Sequence, residues 1–75
     1  MMNLEIFLKS GEQILIEDFK ELNYVVDGSH KKIKDDFSKL SIHNGITYNF
    51  MGTSQFSIKG SEISHLKLVK VEHKS

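Results

Sequence analysis

The chain has 75 residues, ten lysines against ten carboxylates and hence zero formal net charge, and 39% hydrophobic residues. That length holds one small domain over residues 1–75. With no cysteine there is no disulfide framework, thiol nucleophile or cysteine-ligated metal site, and runs such as Ile14-Leu15-Ile16 are far shorter than the ~20 apolar residues of a membrane helix.

The chain opens on alternation. Leu4, Ile6 and Leu8 fall on one face and Glu5, Phe7 and Lys9 on the other, a period of two that predicts a strand. Ser10-Gly11 signals a turn, and Gln13, Leu15 and Glu17 then alternate with Ile14 and Ile16, which completes a hairpin. Asp18 and Phe19 end it. A third strand over 21–26 places Leu22, Tyr24 and Val26 together, and Asp27-Gly28 closes it with a strong turn dipeptide.

The middle changes period. Ile33, Phe37 and Leu40 are spaced i, i+4, i+7, the stripe of a short amphipathic helix over 30–41, with Ser29 as its cap and Lys31, Lys32, Lys34, Asp35 and Asp36 on the wet side. Two strands are the alternative there. Beyond Asn44-Gly45 the period of two returns, with Ile46, Tyr48 and Phe50 on one face, a turn at Gly52-Thr53-Ser54, and Phe56 and Ile58 on the next strand. Lys59-Gly60-Ser61 breaks that strand, Ile63 begins a last element that buries Leu66 and Leu68, with Val69 and Val71 as further candidates for burial, and residues 72–75 read as a polar tail. The expected fold class is therefore mainly β, or α+β with the 30–41 helix: five to six antiparallel strands in a small barrel or curled sheet, with at most one short helix.

Charge is uneven. Residues 1–27 hold two lysines against six carboxylates, and residues 28–75 hold eight lysines against four. Either the two halves pair within one sheet, or the molecule is a dipole that docks head-to-tail or onto a charged partner. Arginine, the residue best suited to bidentate phosphate and base contacts, is absent. AT-rich coding would also give this composition, in which alanine and proline are missing as well.

Catalytic chemistry finds no foothold. His30, His43, His65 and His73 have no i, i+3 or i, i+4 partner among themselves, and Asp35-Asp36 are adjacent rather than alternating as in a calcium loop. The glycines fall one to each predicted turn, and no phosphate-binding glycine loop or nucleophile elbow exists. A non-enzymatic protein without cofactors is expected. The opening Met1-Met2-Asn3-Leu4-Glu5 has neither the basic nor the apolar part of a leader, so the cytoplasm is the expected compartment.

Two resemblances bear on function. Leu4-Glu5-Ile6-Phe7-Leu8-Lys9-Ser10-Gly11 followed by Leu22-Asn23-Tyr24-Val25-Val26 resembles the first motif of the Sm-like RNA-binding family, and the stretch from Phe56 through Lys59-Gly60 to Leu66 is similar to the second. The likeness covers about 4–26 and 56–68, and the middle, 27–55, is longer than the family's. It implies a small five-stranded barrel that assembles into a ring and binds single-stranded RNA, with Asn23, Lys59 and Gly60 facing the RNA. The composition resembles that of small orphan proteins carried by phages and mobile elements of Gram-positive bacteria, some of which inhibit a host protein by occupying its surface.

The residues themselves favour protein binding. Phe7 lies on the strand face opposite Leu4, Ile6 and Leu8, with Leu15 beside it, so both faces of the first hairpin carry apolar groups. One face meets the core and the other needs cover, from the chain's own 30–41 helix, a second copy or a partner. Phe7 and Leu15 are the expected partner-binding residues. The expected partners are a second copy, giving a homo-oligomer, and an unidentified protein.

Overall fold

The alternation at the start of the chain builds what it predicts. In the computed structural model, which describes residues 1–34, 37–38 and 40–71, strand β1 (Met2–Leu8) pairs antiparallel with β2 (Gln13–Ile16), Leu4 opposite Ile16 and Ile6 opposite Ile14. The Leu8 N–H donates to the Glu12 carbonyl at 2.9 Å and the Gly11 N–H to that of Leu8 at 3.0 Å, which closes the turn. β7 (Ile63–Lys70) flanks β1 on its other side, so the first sheet has the order β2-β1-β7.

Asp18 carries the chain out of this sheet. It takes φ +52°, a left-handed conformation that aspartate tolerates better than most residues, and its N–H donates to the Asn3 side-chain oxygen at 3.2 Å. Phe19 is thereby buried at the corner, and the Lys20 N–H reaches the Met51 carbonyl at 2.8 Å in the second sheet. That sheet has the order β4-β3-β5-β6, from β3 (Glu21–Val26), β4 (Ser29–Ile33), β5 (Thr47–Met51) and β6 (Gln55–Lys59). A short 3₁₀ turn, Gly60–Glu62, leads from β6 into β7.

One core lies between the sheets. Leu4, Ile6 and Ile16 come from the first, Leu22, Tyr48, Phe50 and Ile58 from the second, and Phe19 and Ile63 from the connections. Phe37, Leu40, Ile42 and Ile46 pack against it from the segment between β4 and β5, with the Phe37 ring edge-on to Phe19 at 5.9 Å. The Tyr48 hydroxyl anchors that segment: it accepts from the His43 N–H at 2.9 Å and donates to the Ser41 carbonyl at 3.1 Å. Among the described residues no helix is long and apolar enough to cross a membrane.

Three expectations are corrected. Residues 29–33 form a strand, not the start of a 30–41 helix. Asp27 and Gly28 adopt φ +50° and +77°, the backbone of a two-residue hairpin turn whose twist matches that of the flanking strands, so β4 folds straight back on β3 with Leu22 opposite Ile33. Phe37 and Leu40 still pack against the core, while Ile33 ends β4 half-buried. Asp35, Asp36 and Lys39 of the expected helix, and the polar tail 72–75, lie outside the described residues. Among the described residues seven strands form rather than five to six, because β4 joins the six runs that alternation predicts. They make two antiparallel sheets and not a closed barrel.

Candidate functional site

The outer face of the first sheet follows from its register. Asn3 stands opposite Val69, Glu5 opposite Lys67 and Phe7 opposite His65 across β1 and β7. Across β1 and β2, Glu5 stands opposite Leu15 and Phe7 opposite Gln13. Phe7 and Leu15 therefore share this face as diagonal neighbours, near enough for large side chains to cooperate.

Leu15 is 50% exposed, an unusual position for a leucine in a strand, while Phe7 and Val69 are half-buried. Phe7 stacks flat on the His65 ring, centroids 4.2 Å apart and planes within 11°. Gln13 donates its side-chain amide to the Glu5 carboxylate at 2.8 Å. Asn3, Glu5, Leu15, Lys67 and Val69 line a shallow, open depression of about 330 Å³. Leu15 and Val69 form its apolar walls, with a carboxylate and an ammonium group between them.

The centre of the second sheet's outer face is polar and internally bonded, while Val25 lies exposed on the same face nearer the Asp27-Gly28 turn. Asn23 stands opposite Asn49, and Asn49 opposite Ser57. The Ser57 hydroxyl donates to the Asn49 side-chain oxygen at 2.7 Å, the Asn49 amide donates to the Asn23 side-chain oxygen at 3.2 Å, and the Asn23 amide donates to Glu21 at 3.3 Å. The Asn23 amide also meets the Met51 sulfur at 3.3 Å. A ladder of directed hydrogen bonds thus crosses β6, β5 and β3.

The structure places Asn23 and Lys59 on this one face, with Asn49 and Ser57 between them and Lys32 opposite Asn23. Gly60 stands apart from them. It is buried, donates its N–H to the Ile46 carbonyl at 2.8 Å, and packs so closely that a Cβ would collide with the His43 carbonyl. Its lack of a side chain lets the 43–46 segment close over the end of β6.

Sequence reasoning found Phe7, Leu15, Asn23 and Lys59 but missed Val69, His65, Asn49 and Ser57. Their faces follow from alternation within each strand, but their neighbours depend on pairing between strands distant in the chain. Among the described residues no cluster of three His, Asp or Glu side chains is arranged to hold a metal ion, and the ion pair Lys20–Asp18, at 3.2 Å, is exposed and worth little. Comparison with family models, curated protein sequences and solved structures finds no match to this chain.

Proposed function

We propose that this chain is a small non-enzymatic protein-binding module that engages a partner protein through the outer face of its first sheet, occupying the partner's surface. The observation that carries the reading is Leu15: a leucine half exposed in a paired strand, flanked on the same face by Phe7 and Val69. Covering apolar area is worth roughly 25 cal/mol per Å². Partner contacts concentrate in a few anchors, aromatic ones above all, and Phe7, braced by His65, is such an anchor.

The test is the double variant Phe7→Ser/Leu15→Ser, used beside the wild-type chain to capture partners from the native host. The reading requires a discrete protein bound by the wild type and lost in the variant, with cooperative thermal unfolding retained. Equal capture by a folded variant would refute it.

A second reading is single-stranded RNA binding, favoured by the shared face of Asn23, Lys32 and Lys59. It predicts salt-sensitive RNA binding that weakens in Lys59→Ala. No RNA binding by the wild type at low salt would dismiss it.

A further inference from the structure

Of the four outer strands, β4, β6 and β7 carry lysine and β2 alone does not; β4 is the one with two adjacent exposed lysines. β2 is the outermost strand at one edge of the first sheet and β4 at one edge of the second. β2 is flanked by the exposed Glu12 and Glu17 and contains no lysine. β4 carries Lys31 and Lys32 and no carboxylate, with Asp27 in the turn before it and Lys34, Asp35 and Asp36 next in sequence after it; its residues Ser29, His30, Lys31 and Lys32 are all exposed.

The backbone at each edge is open in a matching way. In antiparallel pairing alternate residues aim their N–H and C=O away from the partner strand. The Leu8–Glu12 hydrogen bond makes Ile6–Ile14 and Leu4–Ile16 the bonded pairs, so Gln13 and Leu15 aim outward. Glu17 follows the same parity, and its outward carbonyl accepts from the Thr53 N–H at 3.0 Å. At β4 the two-residue turn makes Val26–Ser29 a bonded pair, so His30 and Lys32 aim outward. Among the described residues Gln13, Leu15, His30 and Lys32 make no outward backbone hydrogen bond, and the side chains of all four lie on outer faces.

We propose that the β2 edge of one copy adds to the β4 edge of a second copy in antiparallel, head-to-tail association. Pairing β4 with β4 would set lysines against lysines, and pairing β2 with β2 would set glutamates against glutamates. Pairing β2 with β4 instead brings Glu12 or Glu17, according to register, beside the lysines of β4. Lysine on a sheet edge deters indiscriminate strand addition, and here it leaves an acidic strand as the acceptable partner. The contact is heterologous, so it repeats from copy to copy as a ring or an open chain. With two open residues on each edge, it is smaller than the ~1,200 Å² at which stable interfaces begin. The association is therefore weak, concentration-dependent and salt-sensitive.

The proposal goes beyond the partner-binding reading and rests on different side chains. Sedimentation equilibrium of the full chain tests it. The wild type is expected to gain average mass between about 10 μM and 1 mM, a range set by weak affinity, and to lose that gain in roughly 1 M salt, where screening is strong. Glu12→Lys/Glu17→Lys and Lys31→Glu/Lys32→Glu should each be monomeric, and an equimolar mixture should regain the wild-type mass, because each acidic edge again meets a basic one. Circular dichroism checks that both variants are folded; should either not fold, the neutral Lys31→Gln/Lys32→Gln replaces it and should weaken association at least threefold. Phe7→Ser should leave self-association unchanged, so a loss of partner capture there reports on the other reading alone. The proposal is overturned if the wild type stays monomeric, if folded charge variants keep the wild-type mass, if the mixture fails to reassociate, or if Lys67→Glu on β7 is the change that dissociates it.

Discussion

On the outer face of the second sheet Asn23, Asn49 and Ser57 bond to one another across three strands. On the outer face of the first, Leu15 stands half exposed beside Phe7, which stacks on His65. Both faces come from the same pleat and the same alternation. On the second face the Asn23–Asn49–Ser57 ladder saturates itself, with Val25 exposed beyond its end, while on the first Leu15 and Phe7 leave contiguous area that a protein surface would cover. Neither strand propensity nor exposure separates the two; the cross-strand partner does. A sheet face becomes a candidate contact where register leaves an apolar residue without a match.

The contrast requires a frame that holds the two sheets in place, and the largest expected effect lies there. Gly60→Ala puts a methyl group into the His43 carbonyl. It should cost about 3 kcal/mol, as overpacking against backbone does, read as a lowered denaturant midpoint. Gly45→Ala, with nothing within 4 Å of the new Cβ, is the control and should be nearly neutral.

Next comes Tyr48→Phe, which removes the hydroxyl shared by His43 and Ser41. The loss should be about 1–2 kcal/mol and should show in hydrogen exchange as lost protection at the His43 amide. An unchanged His43 amide would detach the 41–46 segment from the frame.

Breaking the ladder sharpens the comparison from its polar side. Asn49→Ala should cost about 1 kcal/mol in chemical denaturation, because water can replace part of what Asn23 and Ser57 lose. The smallest stability effect is expected at Leu15→Ser, within about 0.5 kcal/mol, because half of that side chain already meets solvent. A loss above ~2 kcal/mol in thermal unfolding would make Leu15 a core residue and abolish the contrast between the faces.

Much of this was legible before any coordinates. The period of two set β1, β2, β3, β5 and β6, the Gly52-Thr53-Ser54 turn fell where expected, and Phe7 and Leu15 lie on the face that alternation assigned them. The 30–41 helix failed because the spacing of Ile33, Phe37 and Leu40 also arises where a strand ends at Ile33 and the chain after it returns Phe37 and Leu40 to the core. Asp27-Gly28 was the deciding local signal: read as a hairpin turn rather than a strand terminus, it folds β4 back at once. Asn49, Ser57 and Val69 were out of reach for a different reason. Each acquires meaning from a residue more than twenty positions away or on a strand whose pairing is set by the whole core. The close approach of Gly60 to His43 is equally non-local and leaves no mark in the neighbouring letters.

The most direct test of the proposed contact face is site-specific photocrosslinking in the native host. A photoreactive residue is placed at position 15 on the first sheet's outer face in one form of the protein, and at position 57 on the second sheet's in another. The account predicts a discrete protein adduct from position 15 and none from position 57. Equal adducts from both positions, or an adduct from position 57 alone, would contradict it.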